Sequence, residues 1–355
     1  MPGGPLPITL AAVSARPRIR VGVVGLGFMG RTQIGAWRAA DAAGWPNELV
    51  AVCDRAAVLA AGGRDGQGNL ETARTSTPLF DRARVRTFEK PEDLLGDAGI
   101  DAVSLCTPTP SHVELAIAAL AAGKHVIVEK PIAIRSEDAE RLSDAALRAK
   151  TLCMPAMCVR FWPGWSWLRE RVRAGTFGAV RSAMFRRLGT RPGWSNGFYE
   201  DYAQSGGALF DLHVHDADFV RWCLGAPARV STGGSLDHAT TIYSIPKGPA
   251  HVAAEGGWDH AAGFPFKMAY TVAFEGATAD YDSLREPKLL LSRDGKSEAV
   301  ELETTTGYDG EIRHFADAIA GKADLAATCG QAAALVRMLE AERRSLESGA
   351  PAKCA

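Results

Sequence analysis

The feature that most constrains the fold is a glycine-rich turn between an apolar strand and a helix. Residues 25–30 read GLGFMG, with the spacing G-x-G-x-x-G, and they follow the valine-rich run of residues 19–25 directly. Residues 28–40 have the composition of a helix. Glycines at these positions let the chain turn tightly and let its backbone approach a bound group. A strand that feeds a helix in this way predicts a parallel sheet, because parallel strands are joined by crossovers.

The same turn predicts a dinucleotide site. The N-terminus of the following helix favours the negative charge of a pyrophosphate. The next apolar strand, at 48–53, ends just before Asp54, which stands 24 positions beyond Gly30. A carboxylate there accepts hydrogen bonds from the adenosine ribose and repels a 2′-phosphate, which favours NAD over NADP. Arg55 could bind that phosphate, so NADP stays open as an alternative.

The first half of the chain alternates strand and helix patterns. After the strand at 48–53, apolar strands are predicted at 101–106 and 125–128, with a helix at 111–122 between them. Buried strands that alternate with helices indicate a doubly wound parallel sheet covered on both faces. The segment 55–83 is long for one connection, so we expect a helix followed by a solvated insertion.

The second half has a different rhythm. Strand patterns follow one another without helices between them, which predicts an open, mostly antiparallel sheet. These strands are predicted at 180–188, 228–232, 240–245, 250–255, 266–274, 288–291 and 299–302. Helices are predicted at 165–174, 208–224, 311–320 and 330–348. We therefore expect a flexible tail at 1–17, a dinucleotide-binding domain at 18–153 and a second α/β domain at 154–355.

Composition excludes several classes of function. The net charge of -1 gives no global attraction to nucleic acid or to an acidic membrane. No apolar run approaches the length that spans a bilayer. The seven cysteines form no C-x-x-C pair, which favours reduced thiols and a reducing compartment, so we expect a cytoplasmic protein. No resident metal is predicted.

A cluster of acidic residues and histidines occupies residues 206–220, GGALFDLHVHDADFV. On a strand it would resemble the D-x-H-x-H metal motif of amidohydrolases. On a helix, Asp211 and His215 share a face at i, i+4, and Asp218 follows one turn later. Too little chain remains after His215 for a barrel of roughly 250 residues. A helix at the interface of the two domains is therefore predicted, with these three side chains along one stripe, although Asp218 could equally be a structural partner. His213 either reshapes the pocket or lies on the other face of the helix, and we favour the second.

Three motifs together indicate a family. Residues 106–112 read CTPTPSH, residues 129–131 read EKP after an apolar strand, and residues 206–218 fit G-G-x-x-x-D-x-x-x-H-x-x-D. With these motifs the chain resembles the Gfo/Idh/MocA family, sugar and polyol oxidoreductases related to glucose–fructose oxidoreductase and inositol dehydrogenase. The resemblance runs from about residue 18 to the C-terminal helix. It implies a Rossmann domain followed by a domain with an open, mostly antiparallel sheet.

The resemblance also implies roles for individual residues. Lys130 would be the catalytic lysine, whose ammonium stabilises alkoxide character on the reacting oxygen. His215 would be the general base in alcohol oxidation, and Asp211 would orient it or bind a substrate hydroxyl. Cofactor contacts are expected from Gly25, Gly27, Phe28, Met29, Gly30, Asp54, Arg55, Thr107, Pro108, His112, Glu129 and Lys130. Substrate contacts are expected from Arg160, Trp162 and Trp258.

The implied activity is hydride transfer between nicotinamide and a secondary hydroxyl of a sugar, cyclic polyol or sugar derivative. Two alternatives stay open, namely an NAD-dependent glycoside hydrolase of the same fold and a non-catalytic ligand-binding protein, because fold alone does not establish activity. A structural role for His112, near the start of a helix, is a further alternative. We expect a homodimer or homotetramer, because large apolar sheet faces are rarely left in water.

Overall fold

The computed structural model describes residues 18–60, 62, 79–193 and 197–354. The predicted tail at 1–17 and most of the predicted insertion within 55–83 lie outside these residues. The described chain forms two sheets with their flanking helices. No helix in this part of the chain is long and apolar enough to cross a membrane.

The first sheet has six described strands, all parallel, in the order β3-β2-β1-β4-β5-β6. The strands are β1 Ile19–Val24, β2 Asn47–Cys53, β3 Arg86–Phe88, β4 Ala102–Leu105, β5 His125–Val128 and β6 Cys153–Pro155. The helices are α1 Phe28–Ala42, α2 Ala56–Ala60, α3 Pro91–Leu95, α4 His112–Ala121 and α5 Ser136–Arg148. This order reverses direction between β1 and β4, where such sheets bind ligands at the carboxyl ends of their strands. The predicted doubly wound parallel sheet is confirmed.

The predicted domain boundary needs a small correction. A boundary after residue 153 would cut β6, which pairs with β5 along its whole length. Val126 N donates to Leu152 O at 2.7 Å, and Ala156 N donates to Val128 O at 2.8 Å. The first sheet therefore extends through Pro155. The strand is only three residues long and ends in a proline, a residue that strand patterns seldom contain, which is why the sequence did not show it.

The second sheet has nine strands within the described chain, in the order β14-β13-β12-β11-β7-β10-β9-β8-β15. Only β7 and β10 pair in parallel, so the predicted mostly antiparallel sheet is confirmed. The strands are β7 Val180–Leu188, β8 Arg229–Gly234, β9 His238–Ser244, β10 His251–Gly257, β11 Lys267–Phe274, β12 Thr278–Asp282, β13 Leu289–Arg293, β14 Lys296–Val300 and β15 Ala352–Lys353. The sequence analysis missed β12, which follows β11 after a short turn, and the two-residue β15.

The later helices connect the two sheets. They are α6 Pro163–Ala174, α7 Tyr202–Ser205, α8 Gly207–Asp211, α9 Val214–Leu224, α10 Gly307–Ile319 and α11 Cys329–Ser348. Helix α10 returns to pack on α1, where the Phe315 ring meets the Trp37 ring edge-on at 6.4 Å. Helix α11 packs along α5, and Glu340 Oε2 accepts a hydrogen bond from Ser136 Oγ at 2.8 Å. The C-terminal helices therefore cover the first domain as well as the second sheet.

Candidate active site

A cavity of about 650 Å³ lies between the two domains, at the carboxyl ends of β1, β4 and β5. Most of the residues predicted to bind cofactor line it, and so do all three predicted catalytic residues. From these predictions, the lining includes Gly25, Gly27, Phe28, Met29, Asp54, Arg55, Thr107, Pro108, His112, Glu129, Lys130, Trp162, Asp211 and His215. The sequence motifs, distant along the chain, thus converge on one place.

The glycine turn is shaped by close backbone contacts on one side and open space on the other. Gly25 has a φ of +89°, and a Cβ there would lie 2.6 Å from Cys106 O. A Cβ on Gly30 would lie 1.8 Å from Gly25 O, so Gly30 serves the packing of α1 and does not line the cavity. A Cβ on Gly27 would meet no described atom within 4 Å. The open side of Gly27 and the N-terminus of α1 fit a dinucleotide pyrophosphate.

Asp54 lies at the end of β2, on the same side of the cavity. Its Oδ2 accepts a hydrogen bond from Leu26 N at 2.8 Å, and its Oδ1 accepts one from Arg55 N at 2.7 Å. These bonds hold the carboxylate at the edge of the glycine turn. The Arg55 side chain is 72% exposed, with Nε 3.9 Å from Asp54 Oδ1. The acid is thus fixed by two hydrogen bonds, whereas most of the neighbouring cation is exposed to solvent.

His112 ties two loops of the cavity together. Its Nε2 lies 2.7 Å from Thr107 O and its Nδ1 lies 2.9 Å from Pro131 O, so the ring bridges the segments after β4 and β5. Burial lowers the pKa of His112, although its two carbonyl partners act in the opposite direction. These contacts support the structural alternative for His112, even though the residue also lines the cavity.

Lys130 is held by Asp211. Its Nζ donates to Asp211 O at 2.7 Å and to Asp211 Oδ1 at 3.0 Å, and only 14% of the Lys130 side chain is exposed. The preceding Glu129 accepts a hydrogen bond from Gln33 Nε2 at 2.7 Å, and burial raises the pKa of Glu129 to about 7 despite the opposing charge of Lys130. The Lys130–Pro131 peptide is cis. Asp211 was predicted to orient His215 or to bind substrate, and its contact with Lys130 was not predicted.

The helix predicted at 208–224 is broken, which corrects the sequence analysis. Helix α8 ends at Asp211 and α9 begins at Val214, and Leu212 N and His213 N both donate to Ala208 O. The last carbonyls of a helix have no partner within it. The break therefore leaves Asp211 O free to accept from Lys130, a contact that an unbroken helix would not offer.

The two histidines of the cluster face different surroundings. His215 lines the cavity, and its Nδ1 is buried with no hydrogen-bond partner in the described chain. Burial, and then the charges of Lys130 and Arg187, lower the pKa of His215 well below 6.5, so its imidazole is neutral at neutral pH. His213 points away from the cavity, with Nε2 2.9 Å from Glu342 Oε2 and 3.0 Å from Tyr243 Oη. That is the placement predicted for His213.

Two predicted substrate contacts do not line the cavity. Arg160 is 4% exposed, and its guanidinium pairs with Asp218 at 2.6 and 2.8 Å. Trp258 is 1% exposed, and its Nε1 donates to Asp237 Oδ1 at 2.7 Å. Both side chains are therefore used in packing, contrary to the prediction. Asp218, for which a structural role was left open, pairs with Arg160. Trp162 does line the cavity.

Several cavity residues escaped the sequence analysis. Arg187, near the end of β7, is 2% exposed, and its Nε donates to Asp216 Oδ2 at 2.9 Å. Burial, and then the charges of Asp211 and Glu129, raise the pKa of Tyr199. The others in this group are Phe198, Phe266, Met268 and Tyr308. They come from β7, the loop after it, the start of β11 and α10, and no short motif marks any of them.

Two family profiles match the chain. The oxidoreductase family with an NAD-binding Rossmann fold matches residues 19–157, and the GFO/IDH/MocA C-terminal domain matches residues 165–280. Together they cover most of the chain, so this protein belongs to the GFO/IDH/MocA oxidoreductase family, and its first domain is an NAD-binding Rossmann domain. The family resemblance and the NAD cofactor predicted from the motifs are confirmed.

Individual relatives are more distant. The chain is 26% identical to scyllo-inositol 2-dehydrogenase (NAD(+)) of Bacillus subtilis over 259 residues, which are 65% of this chain and 71% of that protein. It is 33% identical to D-glucoside 3-dehydrogenase of Escherichia coli over 184 residues, which are 51% of this chain and 48% of that protein. A solved structure of levoglucosan dehydrogenase with NADH and levoglucosan superposes with a TM-score of 0.81 at 19% identity, covering 95% of this chain and 99% of that one. This structural likeness supports the fold.

Proposed function

We propose that the protein is an NAD-dependent dehydrogenase that oxidises a secondary hydroxyl of a sugar, cyclic polyol or sugar derivative. The main support for this proposal is that Lys130, Asp211 and His215 line the same cavity as the glycine turn of the Rossmann domain. A cation and a neutral base thus share one cavity with the cofactor site. The relatives named for scyllo-inositol and D-glucoside support the substrate class.

The residues divide the chemistry between them. Bound NAD supplies the hydride acceptor. The Lys130 ammonium donates a hydrogen bond to the reacting oxygen and stabilises its negative charge. His215 accepts the hydroxyl proton, and its lowered pKa leaves the imidazole in the form that can do so. Asp211, with two hydrogen bonds to Lys130 Nζ, fixes the position of that ammonium.

The remaining walls suit a neutral, polar ring. Trp162, Tyr199 and Tyr308 offer aromatic faces of the kind that pack against the apolar face of a sugar. The cations near the cavity are matched by anions, since Lys130 pairs with Asp211 and Arg187 pairs with Asp216. This balance favours an uncharged substrate over an acidic one.

The first experiment measures initial rates with NAD and with NADP against inositols, aldoses, sugar acids and anhydrosugars, from the absorbance of the reduced cofactor. Turnover of a neutral ring alcohol with NAD supports the proposal and names the substrate class. No reduction across the panel, with NAD binding confirmed by fluorescence, contradicts it. Glycoside cleavage without net NADH would then support the hydrolase alternative.

The mechanism is tested with Lys130→Met. Removing the ammonium is expected to lower kcat on the order of 10²–10³-fold, the effect of losing one preorganised donor to a developing oxyanion. The NAD dissociation constant should stay within a few-fold of that of the unmodified protein. Lys150→Met, at an exposed position, is the matched control and should keep full activity. Normal turnover in Lys130→Met would refute the role of this lysine.

Assembly into a homodimer or homotetramer, through the outer face of the nine-stranded sheet, stays a prediction. So does the cytoplasmic location.

A further inference from the structure

A second cluster of side chains, outside the cavity, has the composition of a metal site. His238 begins β9 and pairs with Gly257 at the end of β10, and Asp259 and His260 follow that glycine closely. One ligand atom from each of His238, Asp259 and His260 lies within 4.8 Å of the other two. None of the three lines the cavity of the candidate active site. We call these three residues the edge cluster.

The backbone around the edge cluster is tightly fixed. Trp258 N donates to Asp237 O at 3.0 Å, and Trp258 Nε1 donates to Asp237 Oδ1 at 2.7 Å. A Cβ on Gly257 would lie 2.5 Å from His238 Nδ1, so the histidine ring occupies the space that a side chain on the paired strand would fill. The ring of His238 and the segment that carries Asp259 are therefore held together before any ligand arrives.

His238 has the surroundings of a metal-bound histidine. Its Nδ1 lies 2.7 Å from Asp259 Oδ1, and its Nε2 lies 3.1 Å from Glu255 Oε1. Glu255 in turn pairs with Arg186 at 2.5 Å. Histidines that bind a metal through one ring nitrogen usually donate the other N–H to a carboxylate, which fixes the tautomer and the ring orientation. Glu255 stands where that partner is needed.

His260 has a buried ring nitrogen without a hydrogen-bond partner among the described residues. Its ring stacks on Phe264, with centroids 4.2 Å apart and planes 26° apart, which fixes its orientation. Its Nδ1 is buried and makes no hydrogen bond in the described chain, and it lies 3.6 Å from Asp259 Oδ1. A buried ring nitrogen without a partner costs free energy. A cation held between His260 and Asp259 would remove that cost.

We propose that the edge cluster binds one divalent transition-metal ion of the zinc type. Two imidazole nitrogens and one carboxylate oxygen, with water in the remaining position, form a ligand set that Zn²⁺ accepts in tetrahedral geometry. Such an ion would cross-link the start of β9 to the segment after β10. The proposal concerns binding and local stability and does not depend on the dehydrogenase activity.

A proton on His238 competes with zinc for the edge cluster. Burial lowers the pKa of His238, but its hydrogen bonds to Asp259 and Glu255 outweigh burial, so the pKa of His238 is raised. A protonated His238 between two carboxylates is a stable ion triad without any metal. Zinc must displace the proton from Nδ1, because a metal ligand must be deprotonated. The experiment therefore has to separate a site that exchanges a proton for zinc from one that keeps the proton.

The test uses the full chain without an affinity tag, treated with a chelator and titrated with Zn²⁺ alone by calorimetry near pH 7.5. We expect one zinc per chain with an affinity in the micromolar range or tighter. His260→Gln and Asp259→Asn should each weaken that affinity by about 100-fold or more, and Glu255→Gln by on the order of 10-fold. His251→Gln, at an exposed histidine on β10 outside the cluster, should bind zinc unchanged.

Co²⁺ provides a second readout, because its visible absorption reports nitrogen and oxygen ligands, and this spectrum should be lost in His260→Gln. Zinc should also raise the Tm of the unmodified chain more than that of either cluster variant, since a ligand that binds only the folded state stabilises it. Thermal unfolding without zinc confirms that the variants fold. Zinc affinity weaker than millimolar, or equal affinity in the unmodified chain and both variants, would overturn the proposal.

Discussion

The two walls of the cavity are built in different ways. The cofactor wall comes from short segments at the ends of adjacent strands, namely 24–29, 53–55 and 106–109. Its shape is set by the backbone, because a tight turn and the N-terminus of α1 lie there, and both suit a bound pyrophosphate. The substrate wall is made of side chains from β7, β11, α10 and the loops between them. Local sequence therefore determines the first wall, and tertiary packing determines the second.

The difference has a functional meaning. A wall shaped mainly by backbone tolerates most changes of side chain, apart from those at Asp54 and Arg55, whereas a wall of side chains can change one residue at a time. Substrate specificity should therefore reside in residues such as Arg187, Tyr199 and Tyr308, which the sequence motifs do not include. Variants of the two walls should separate cofactor affinity from substrate turnover, and the expected effects run from large to small.

The largest effect is expected at the boundary between the walls. His215→Gln removes the proposed base and should lower kcat on the order of 10²–10⁴-fold, with NAD affinity unchanged. His213→Gln is the matched control, because His213 contacts Glu342 and Tyr243 on the far side of the helix. That variant should lower the Tm and keep most of the turnover. Equal losses of turnover in both variants would contradict the assignment of the base.

The pH dependence of kcat/KM in the unmodified chain also tests whether His215 is the base. Burial and two nearby cations lower the pKa of His215, so the imidazole stays neutral as the pH falls through 6.5. The acidic limb of kcat/KM for alcohol oxidation should therefore lie well below pH 6.5. The profile is read from initial rates across pH 4.5–8.5, after the chain is shown to stay folded. A limb near pH 7 would mean that the base is solvated.

The cofactor wall is tested with a pair of glycines. Gly25→Ala forces a side chain into a positive φ and against Cys106 O, so it should lower both the Tm and the NAD affinity, the latter roughly 10–100-fold. Gly27→Ala meets no described atom, so it should leave the Tm unchanged and still weaken NAD by about tenfold. Calorimetry measures the NAD affinity and thermal unfolding measures the Tm. A Gly27→Ala variant that binds NAD normally would show that the pyrophosphate lies elsewhere.

We expect the choice between NAD and NADP to depend on Asp54. Asp54→Asn removes the charge that repels a 2′-phosphate, so the preference for NAD over NADP should fall by about tenfold. Arg55→Ala removes the exposed cation next to Asp54. If Arg55 assists the binding of NADP, this variant should increase the preference for NAD over NADP. Dissociation constants for both cofactors in the two variants measure this. An unchanged ratio in Asp54→Asn would mean that the carboxylate serves only to hold Leu26 N.

The smallest effect is expected on the substrate wall. Tyr199→Phe removes one hydroxyl from a residue that lines the cavity, and if that hydroxyl binds substrate the change should raise KM about 3–10-fold, the value of one hydrogen bond, with NAD affinity unchanged. Once a substrate is known, steady-state kinetics and calorimetry separate the two quantities. A weaker NAD affinity with an unchanged KM would place Tyr199 on the cofactor wall instead.

The parts that the sequence predicts are those that local chemistry fixes. The strand–turn–helix at 19–42 forms from neighbours in the chain, and Asp54 and the EKP tripeptide are each marked by the apolar strand that precedes them. The broken helix at Asp211 was not predicted, because no glycine or proline lies within 208–224 to mark the break and only the tertiary contact with Lys130 uses it. Arg160 was misassigned because its partner, Asp218, lies 58 residues away. The substrate wall is assembled across still longer separations, without any repeated pattern.

Because α10 and α11 return to pack on the first domain, that domain is not an independent unit. Phe315 covers Trp37 on α1, and Ser136 at the start of α5 depends on Glu340 for its hydrogen bonds. A fragment that stopped at Pro155 would expose those apolar surfaces to water, so we expect it to aggregate and not to persist as a free nucleotide-binding unit. Exchange of one half between related chains, in the laboratory or in evolution, would have to carry the two C-terminal helices with the Rossmann domain they cover.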